Sequence, residues 1–359
     1  MKVFKFGGAS VKDAGGIRNL ASIVSAERSQ IAVVVSAFGK TTNALERVLN
    51  SWFNDDLSRF RELDEIYHYH SRIYDELFNG DGIDKNSLDN SFAGLRDYLS
   101  GSRTGSYDYE YDQVVSHGEI WSTMVVASFL AKSGINAKWI DIRENLLTDD
   151  RYRDANVLWN ESIIRVKRAF SFRDAGLYVT QGFIGANAAG RSTTLGREGS
   201  DYTAAVLANI LDAECVVVWK DVPGLLNADP KWMPDAGKMA EVSYREAVEM
   251  TFSGAKVIHP KTIKPLHNKK IPLYVKSFLD PGGTGTLVTD DPMIRETVPV
   301  FIRKESQILI TLLPKDFSFV MGDRLSILFR MFMQYGIKVN LVEASAVSID
   351  VCVDDERTK

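Results

Sequence analysis

The densest set of side chains with chemical use in this chain lies in residues 194–205, TLGREGSDYTAA. Gly196 and Gly199 permit positive φ and close backbone approach. Between them, Arg197 offers a planar fork that grips a carboxylate through two hydrogen bonds. Ser200 or Asp201 can cap the helix expected next, and the free N–H groups at such an end suit an anion. The Asp201 carboxylate can order a cation. The stretch reads as an anion clamp beside a cation organiser.

Other candidates sit at the ends of apolar runs. Lys5 closes a strand just before Gly7-Gly8, where a lysine can hold an anion beside exposed backbone N–H groups. This is neither a Walker A motif nor a G-x-G-x-x-G. Lys220 and Asp221 end another strand, where parallel sheets place ligands. Lys231 and Lys256 add positive charge downstream, and together these lysines suggest a polyphosphate pocket. Glu119 sits one turn inside an apolar helix, either as a solvated glutamate or as the partner of a substrate ammonium. His117 and His259 have no adjacent nucleophile and form no Ser/His/Asp or Cys/His pattern. His68 and His70, two apart on a helix, point different ways and read as surface residues, not a metal pair.

The elements that must position these groups follow from apolar spacing. Strand 3–6, helix 16–28, strand 31–35 and a helix after 36–43 make an α/β pattern with a mainly parallel sheet. Residues 56–78 are helical. Residues 79–111, rich in Gly, Ser, Asp and Asn, read as a loop with one short helix at 91–99. A long helix covers 112–132, a strand 137–142, a surface crossing 143–156 and a helix 160–170. Residues 177–185 read as one buried strand and 201–211 as a helix. Strand 215–219, helix 243–250, a helical turn begun by 253–260 and strand 272–278 follow. Residues 290–299 look like a linker. Beyond it, strands 308–313, 338–342 and 347–353 with helix 324–335 form a small α+β module.

A length of 359 residues allows two or three domains. Hydrophobic residues are 45% and charged residues 25%, as in ordinary globular proteins, and the net charge of −4 gives no general pull toward nucleic acid or membrane. Cys215 and Cys352 read as reduced core residues of a cytoplasmic protein, without zinc spacing. The N-terminus enters a strand at once and is no signal peptide, and no apolar run reaches membrane-spanning length.

In order along the chain, the motifs resemble those of the aspartokinases. Residues 5–11, KFGGASV, are similar to that family's Lys-Phe-Gly-Gly-Thr-Ser-Val signature. Residues 35–43 resemble its second loop, SHGE at 116–119 and TLGREGSDYTAA at 194–205 complete the set, and 253–260 resemble its late nucleotide loop. The resemblance implies an amino-acid-kinase fold, an open α/β/α sandwich over 1–292 with an aspartate-binding N-terminal part and an ATP-binding C-terminal part. A partial ACT-like regulatory module would occupy 300–359. The implied reaction is Mg-ATP-dependent phosphorylation of the L-aspartate side-chain carboxylate, opening the route to lysine, threonine, methionine and isoleucine.

Carried over by match, Lys5 would stabilise the transferring phosphoryl group and Asp201 would orient Lys5 and the metal-bound phosphates. Arg197 would clamp the aspartate α-carboxylate and Glu119 its α-ammonium, with Thr42 and Ser200 also at the substrate. Gly7, Gly8, Lys220, Asp221, Leu226, Lys231 and Lys256 would line the nucleotide pocket, and Mg2+ would arrive on the ATP phosphates. Ala9, Lys220, Leu226 and Lys231 depart from the residues common in the family at those points. The family continues past the point where this chain stops, so the resemblance implies a truncated regulatory region with exposed apolar surface, a homodimer and an amino-acid effector at the ACT region. The competing readings are a same-fold kinase acting on glutamate, acetylglutamate or UMP, and a non-catalytic amino-acid or nucleotide sensor. A Rossmann dehydrogenase lacks its fingerprint here.

Overall fold

Short apolar runs ending in glycine turns, each followed by an amphipathic helix, build one large sheet. The computed structural model describes residues 1–79, 85–255, 258–293, 299–314 and 322–355. In chain order the elements begin with β1 (Lys2–Phe6), α1 (Ala14–Ser25) and β2 (Ile31–Val35). Five helices follow: α2 (Thr41–Phe53), α3 (Ser58–Phe78), α4 (Lys85–Ser100), α5 (Tyr107–Val115) and α6 (His117–Lys132). Then come β3 (Ala137–Ile140), α7 (Trp159–Ala169), β4 (Leu177–Gln181), β5 (Ile184–Ala186), β6 (Ser192–Thr194) and α8 (Gly199–Ile210). Next are β7 (Cys215–Lys220), β8 (Glu241–Ser243), α9 (Tyr244–Phe252), α10 (Pro260–Lys269), β9 (Leu273–Ser277) and β10 (Thr286–Thr289). Last are β11 (Gln307–Leu312), α11 (Gly322–Gln334), β12 (Val339–Ala344) and β13 (Ile349–Asp354).

The eight-stranded sheet has the order β3-β4-β2-β1-β7-β9-β10-β8. Every neighbouring pair is parallel except β9/β10. Strand β2, Ile-Ala-Val-Val-Val, is buried throughout, as a parallel strand covered on both faces requires. Helix α1 is capped by Asp13, which accepts the Gly16 N–H at 2.8 Å, and it buries Ile17, Leu20 and Val24. Each such aliphatic side chain contributes about 1.5–3 kcal/mol of burial free energy. Residues 107–132 are together long and apolar enough to cross a membrane, but 72% of the most apolar window is buried inside the protein, which makes them core helices.

The chain divides into two compact units, residues 1–251 with 256–299, and 252–255 with 300–359. In the second unit α11 packs with an antiparallel sheet of order β11-β13-β12. Its small core centres on Phe332, Ile349, Val351 and Val353. Leu309, Ile327, Met333 and Leu341 are exposed there, so apolar surface is left uncovered on both sheet and helix.

Several expectations are corrected. The short helix expected at 91–99 starts earlier, as the sixteen-residue α4, because Leu88, Phe92, Leu95 and Leu99 give it one buried face. Helix 112–132 is two helices meeting at Ser116. Strand 177–185 breaks at Gly182-Phe183, and β5 instead pairs with β6 as a separate hairpin. Residues 143–156 do not simply cross the surface: Leu146, Leu147, Thr148 and Ala155 are buried, and Leu147 bridges to Ala186. His70 is fully buried among Phe38, Phe92 and Trp121, and burial lowers its pKa to about 4. Cys352 is only half-buried, unlike Cys215. Lys256 and Val257, and residues 294–298 of the expected linker, lie outside the described residues.

Candidate active site

Lys5 reaches the cavity because β1 is the central strand and its last residues open onto the loops at the strand ends. Its Nζ lies 2.6 Å from Asp201 Oδ1, and Lys220 Nζ at the end of β7 lies 3.8 Å from Asp201 Oδ2. Asp201 is 2% exposed. Burial alone would raise its pKa, but the two lysines outweigh burial and hold the carboxyl below the usual range. It is therefore an ionised organiser of two ammonium groups, not a base. Asp201 and Ser200 lie inside the first turn of α8, so neither caps it; the preceding Glu198 adopts a left-handed conformation and bonds through its backbone.

The loops after β1 and β2 lock together by backbone. The Gly39 N–H donates to Gly8 O at 3.0 Å, and the Ser36 N–H donates to Phe6 O at 3.1 Å. A Cβ on Gly8 would lie 2.6 Å from Ala37 O and 2.9 Å from Gly39 O, so only glycine fits. Gly7 lies against Lys5 Nζ, 3.6 Å from where its Cβ would be.

Glu119 enters from the first turn of α6 and is 3% exposed. Its Oε1 accepts the Ala37 N–H at 3.3 Å, while Oε2 is buried without a hydrogen-bond partner. Burial pushes its pKa up to about 8, against the smaller opposing effects of the Ala37 N–H and Lys5. A carboxyl in this state favours a cation delivered from outside.

These groups share one cavity of about 550 Å³. Lys5, Gly8, Thr42, Glu119, Arg197, Ser200, Asp201 and Lys220 all line it. Arg197 is exposed and makes no ion pair among the described residues, which leaves its fork available. Gly7 sits just behind Lys5, whereas Asp221, Leu226 and Lys231 are not in the cavity wall. Leu226 instead bridges to Lys238, and the Lys231 N–H donates to Asp229. Tyr111, Arg153, Phe183 and Glu198 also line the cavity and were not singled out in the sequence. Only Glu198 lay inside a flagged motif; Arg153 sits in a weakly patterned stretch with no local signal.

Burial, with Arg143 nearby, lowers the His117 pKa to about 4, and its Nδ1 lies 3.0 Å from Gln113 O. His259 is the N-cap of α10. Neither is poised as a base at neutral pH. No group of three or more His, Cys, Asp or Glu side chains that could hold a metal occurs among the described residues. The arrangement suits transfer of an anionic group between two anions, with cations already placed.

The family model for the amino acid kinase family matches residues 1–277. Lysine-sensitive aspartokinase 3 of Escherichia coli K12 is 33% identical over 356 residues, covering 98% of this chain and 78% of that protein. The chloroplastic bifunctional aspartokinase/homoserine dehydrogenase 1 of Zea mays is 33% identical over 301 residues, and the match spans only 32% of that longer protein. The crystal structure of E. coli aspartokinase III in complex with aspartate and ADP superposes with a TM-score of 0.82 at 32% identity, covering 99% of this chain and 78% of that one. On these matches the chain belongs to the amino acid kinase family, as one of its aspartokinases.

Proposed function

We propose that the protein transfers the γ-phosphoryl group of ATP to the side-chain carboxylate of L-aspartate, giving 4-phospho-L-aspartate and ADP. The observation that carries this reading is Glu119, a buried carboxyl with an unpartnered oxygen in the same cavity as the Lys5–Asp201–Lys220 cluster. An amino acid supplies the ammonium that Glu119 lacks; a nucleoside monophosphate does not.

The chemistry follows from the acceptor's charge. A carboxylate oxygen is already anionic, so it attacks phosphorus without a base, and the bond to the β-phosphate oxygen breaks to release ADP. Lys5 and Lys220 face the charge spread over the phosphoryl oxygens, and Asp201 keeps both ammonium groups aimed. Arg197 takes the α-carboxylate, Glu119 the α-ammonium, and Thr42 and Ser200 complete the acceptor wall. The Gly7-Gly8 backbone approaches phosphate. With no cluster to hold a metal among the described residues and Asp201 engaged by lysines, magnesium fits as a passenger on the nucleotide, where it would neutralise phosphate charge. Asp221, Leu226, Lys231 and Lys256 belong in this proposal to the nucleotide side.

Residues 1–292 are assigned to catalysis and 300–359 to an ACT-like regulatory module. The exposed apolar residues of the second unit support a homodimer, and an amino-acid effector at that unit and a cytoplasmic location complete the reading. A coupled assay of ADP release tests the function across aspartate, glutamate, acetylglutamate and UMP. Turnover with UMP and not aspartate ends the proposal. Arg197→Ala should raise the aspartate KM by about 10- to 100-fold, through loss of a bidentate charged bond, and leave the ATP KM unchanged. Collapse of ATP binding instead would put the loop on the donor side.

A further inference from the structure

Left-handed backbone at non-glycine residues concentrates around this cavity. Nine such residues occur among the described ones, and three of them, Arg153 (φ 68°), Phe183 (φ 67°) and Glu198 (φ 54°), line the cavity. Asn79 and Lys270 close helices, an ordinary use of this conformation. Arg153 does not: it lies within an irregular loop, in a conformation that glycine adopts without strain. Strain of this kind persists where the surroundings over-determine it, and it gathers at functional sites.

The surroundings here are specific. The Arg153 N–H donates to both oxygens of Asp112, at 3.0 and 3.2 Å. Asp112 is fully buried and also accepts from the Thr194 N–H at 2.8 Å and the Thr194 hydroxyl at 2.7 Å. One buried carboxylate thus ties residue 153 to the start of the segment that carries Arg197. A Cβ on Gly196 would lie 3.4 Å from Arg153 O, so the two loops are in contact. The guanidinium lies over the Tyr111 ring, 4.4 Å from its centroid, and 5.8 Å from that of Tyr107. Its ion pair is with Asp108 at 3.3 Å, between side chains that are both about half exposed, and such a pair neutralises little.

Tyr111 locates this charge in the cavity. The ring lines the wall, and the Arg153 guanidinium rests on it. Arg153 shares this lining with Glu119 and Arg197, and its loop touches Gly196, the residue before Arg197. In an α-amino acid the carboxylate and ammonium share one carbon. A substrate whose ammonium meets Glu119 must hold its α-carboxylate within a few ångströms of it.

We propose that Arg153 is a specificity-determining residue of the acceptor end, its guanidinium holding the α-carboxylate jointly with Arg197. This rests on the reading of the cavity as an aspartate site. The alternative is that Arg153 only staples its loop to α5.

Arg153→Gly separates the two, because glycine relieves the backbone strain and the variant should melt no lower than the parent protein. The full-length variant is assayed for ADP release with L-aspartate and with its α-amide, which keeps the ammonium and the side-chain carboxylate. The expected result is an aspartate KM raised about tenfold, an ATP KM within about a factor of two, and no change in KM for the α-amide. Arg153→Lys should lie between, keeping charge but losing the fork. An unchanged aspartate KM overturns the proposal, as does an equal rise for both acceptors or a rise for ATP. Absence of aspartate turnover by the parent protein sinks the acceptor reading itself and this inference with it, a result distinct from normal turnover that ignores residue 153.

Discussion

Replacing Glu119 by glutamine probes the acceptor site through pH. Burial moves this carboxyl from 4.5 to about 8, and Oε2 has nothing to bond. At about 1.4 kcal/mol per pKa unit, the folded protein opposes its ionisation by roughly 5 kcal/mol. The folded value lies above the unfolded one, so the stability contributed by the protonated form is fully present below about pH 4.5 and is lost as pH rises to about 8. Aspartate brings an ammonium that favours the carboxylate, so it binds best once Glu119 is ionised. At about pH 7 roughly one enzyme in ten has paid that ionisation, and the aspartate KM should fall about tenfold from pH 7 to well above pH 8. Binding at pH 7 should release close to one proton, visible as a buffer-dependent enthalpy in calorimetry. Glu119→Gln stays neutral throughout. Its aspartate KM should be raised by about 10- to 100-fold over the alkaline wild type, and should be flat with pH. The unliganded variant should also melt above the unliganded wild type at about pH 8.5. A wild-type KM that is flat across this range, or a pH slope that survives in the glutamine variant, would falsify the assignment of Glu119 to the ammonium.

Two further substitutions test the phosphoryl end. Lys5→Met leaves buried Asp201 with Lys220, 3.8 Å away, as its ion-pair partner among the described residues. It should lower kcat by about 10²- to 10³-fold and stability at neutral pH by about 3 kcal/mol. Since Asp201 has a lowered pKa in the folded state, the stability gap between variant and wild type should close as pH falls through that value in urea titrations at acid pH. Gly8→Ala places a methyl against two carbonyl oxygens and should cost about 1–3 kcal/mol and most activity. Gly7→Ala meets only the flexible Lys5 Nζ at 3.6 Å and should keep the melting temperature within a few degrees.

The parallel sheet was legible because β1, β2 and β7 are apolar runs bounded by turn residues, and burial on both faces leaves that pattern little freedom. Lys5, Lys220 and Asp201 were legible because each sits at a strand end or a glycine loop. The first part of helix α4 was missed because, ahead of the helix expected at 91–99, only Leu88 faces the core among polar residues. His70 was misplaced for a related reason: histidine composition says nothing of the aromatic shell that accepts it. Arg153 was invisible because its position depends on a hydrogen bond to Asp112, forty-one residues away. Local spacing reports what a backbone stretch prefers; it does not report which buried carboxylate will hold it.

The Gly39–Gly8 hydrogen bond has a thermodynamic consequence. The loop after β1, proposed to face phosphate, and the loop after β2, proposed to face the acceptor, are joined there, and Ala37 of the second loop donates to Glu119. In the proposed function, a nucleotide that settles the first loop should order the second, and an acceptor that ionises and engages Glu119 should steady the Gly8 carbonyl in return. Linkage makes this reciprocal: each substrate must tighten the other by the same factor. On the proposed function, the two substrates are expected to act as mutual effectors across this backbone contact.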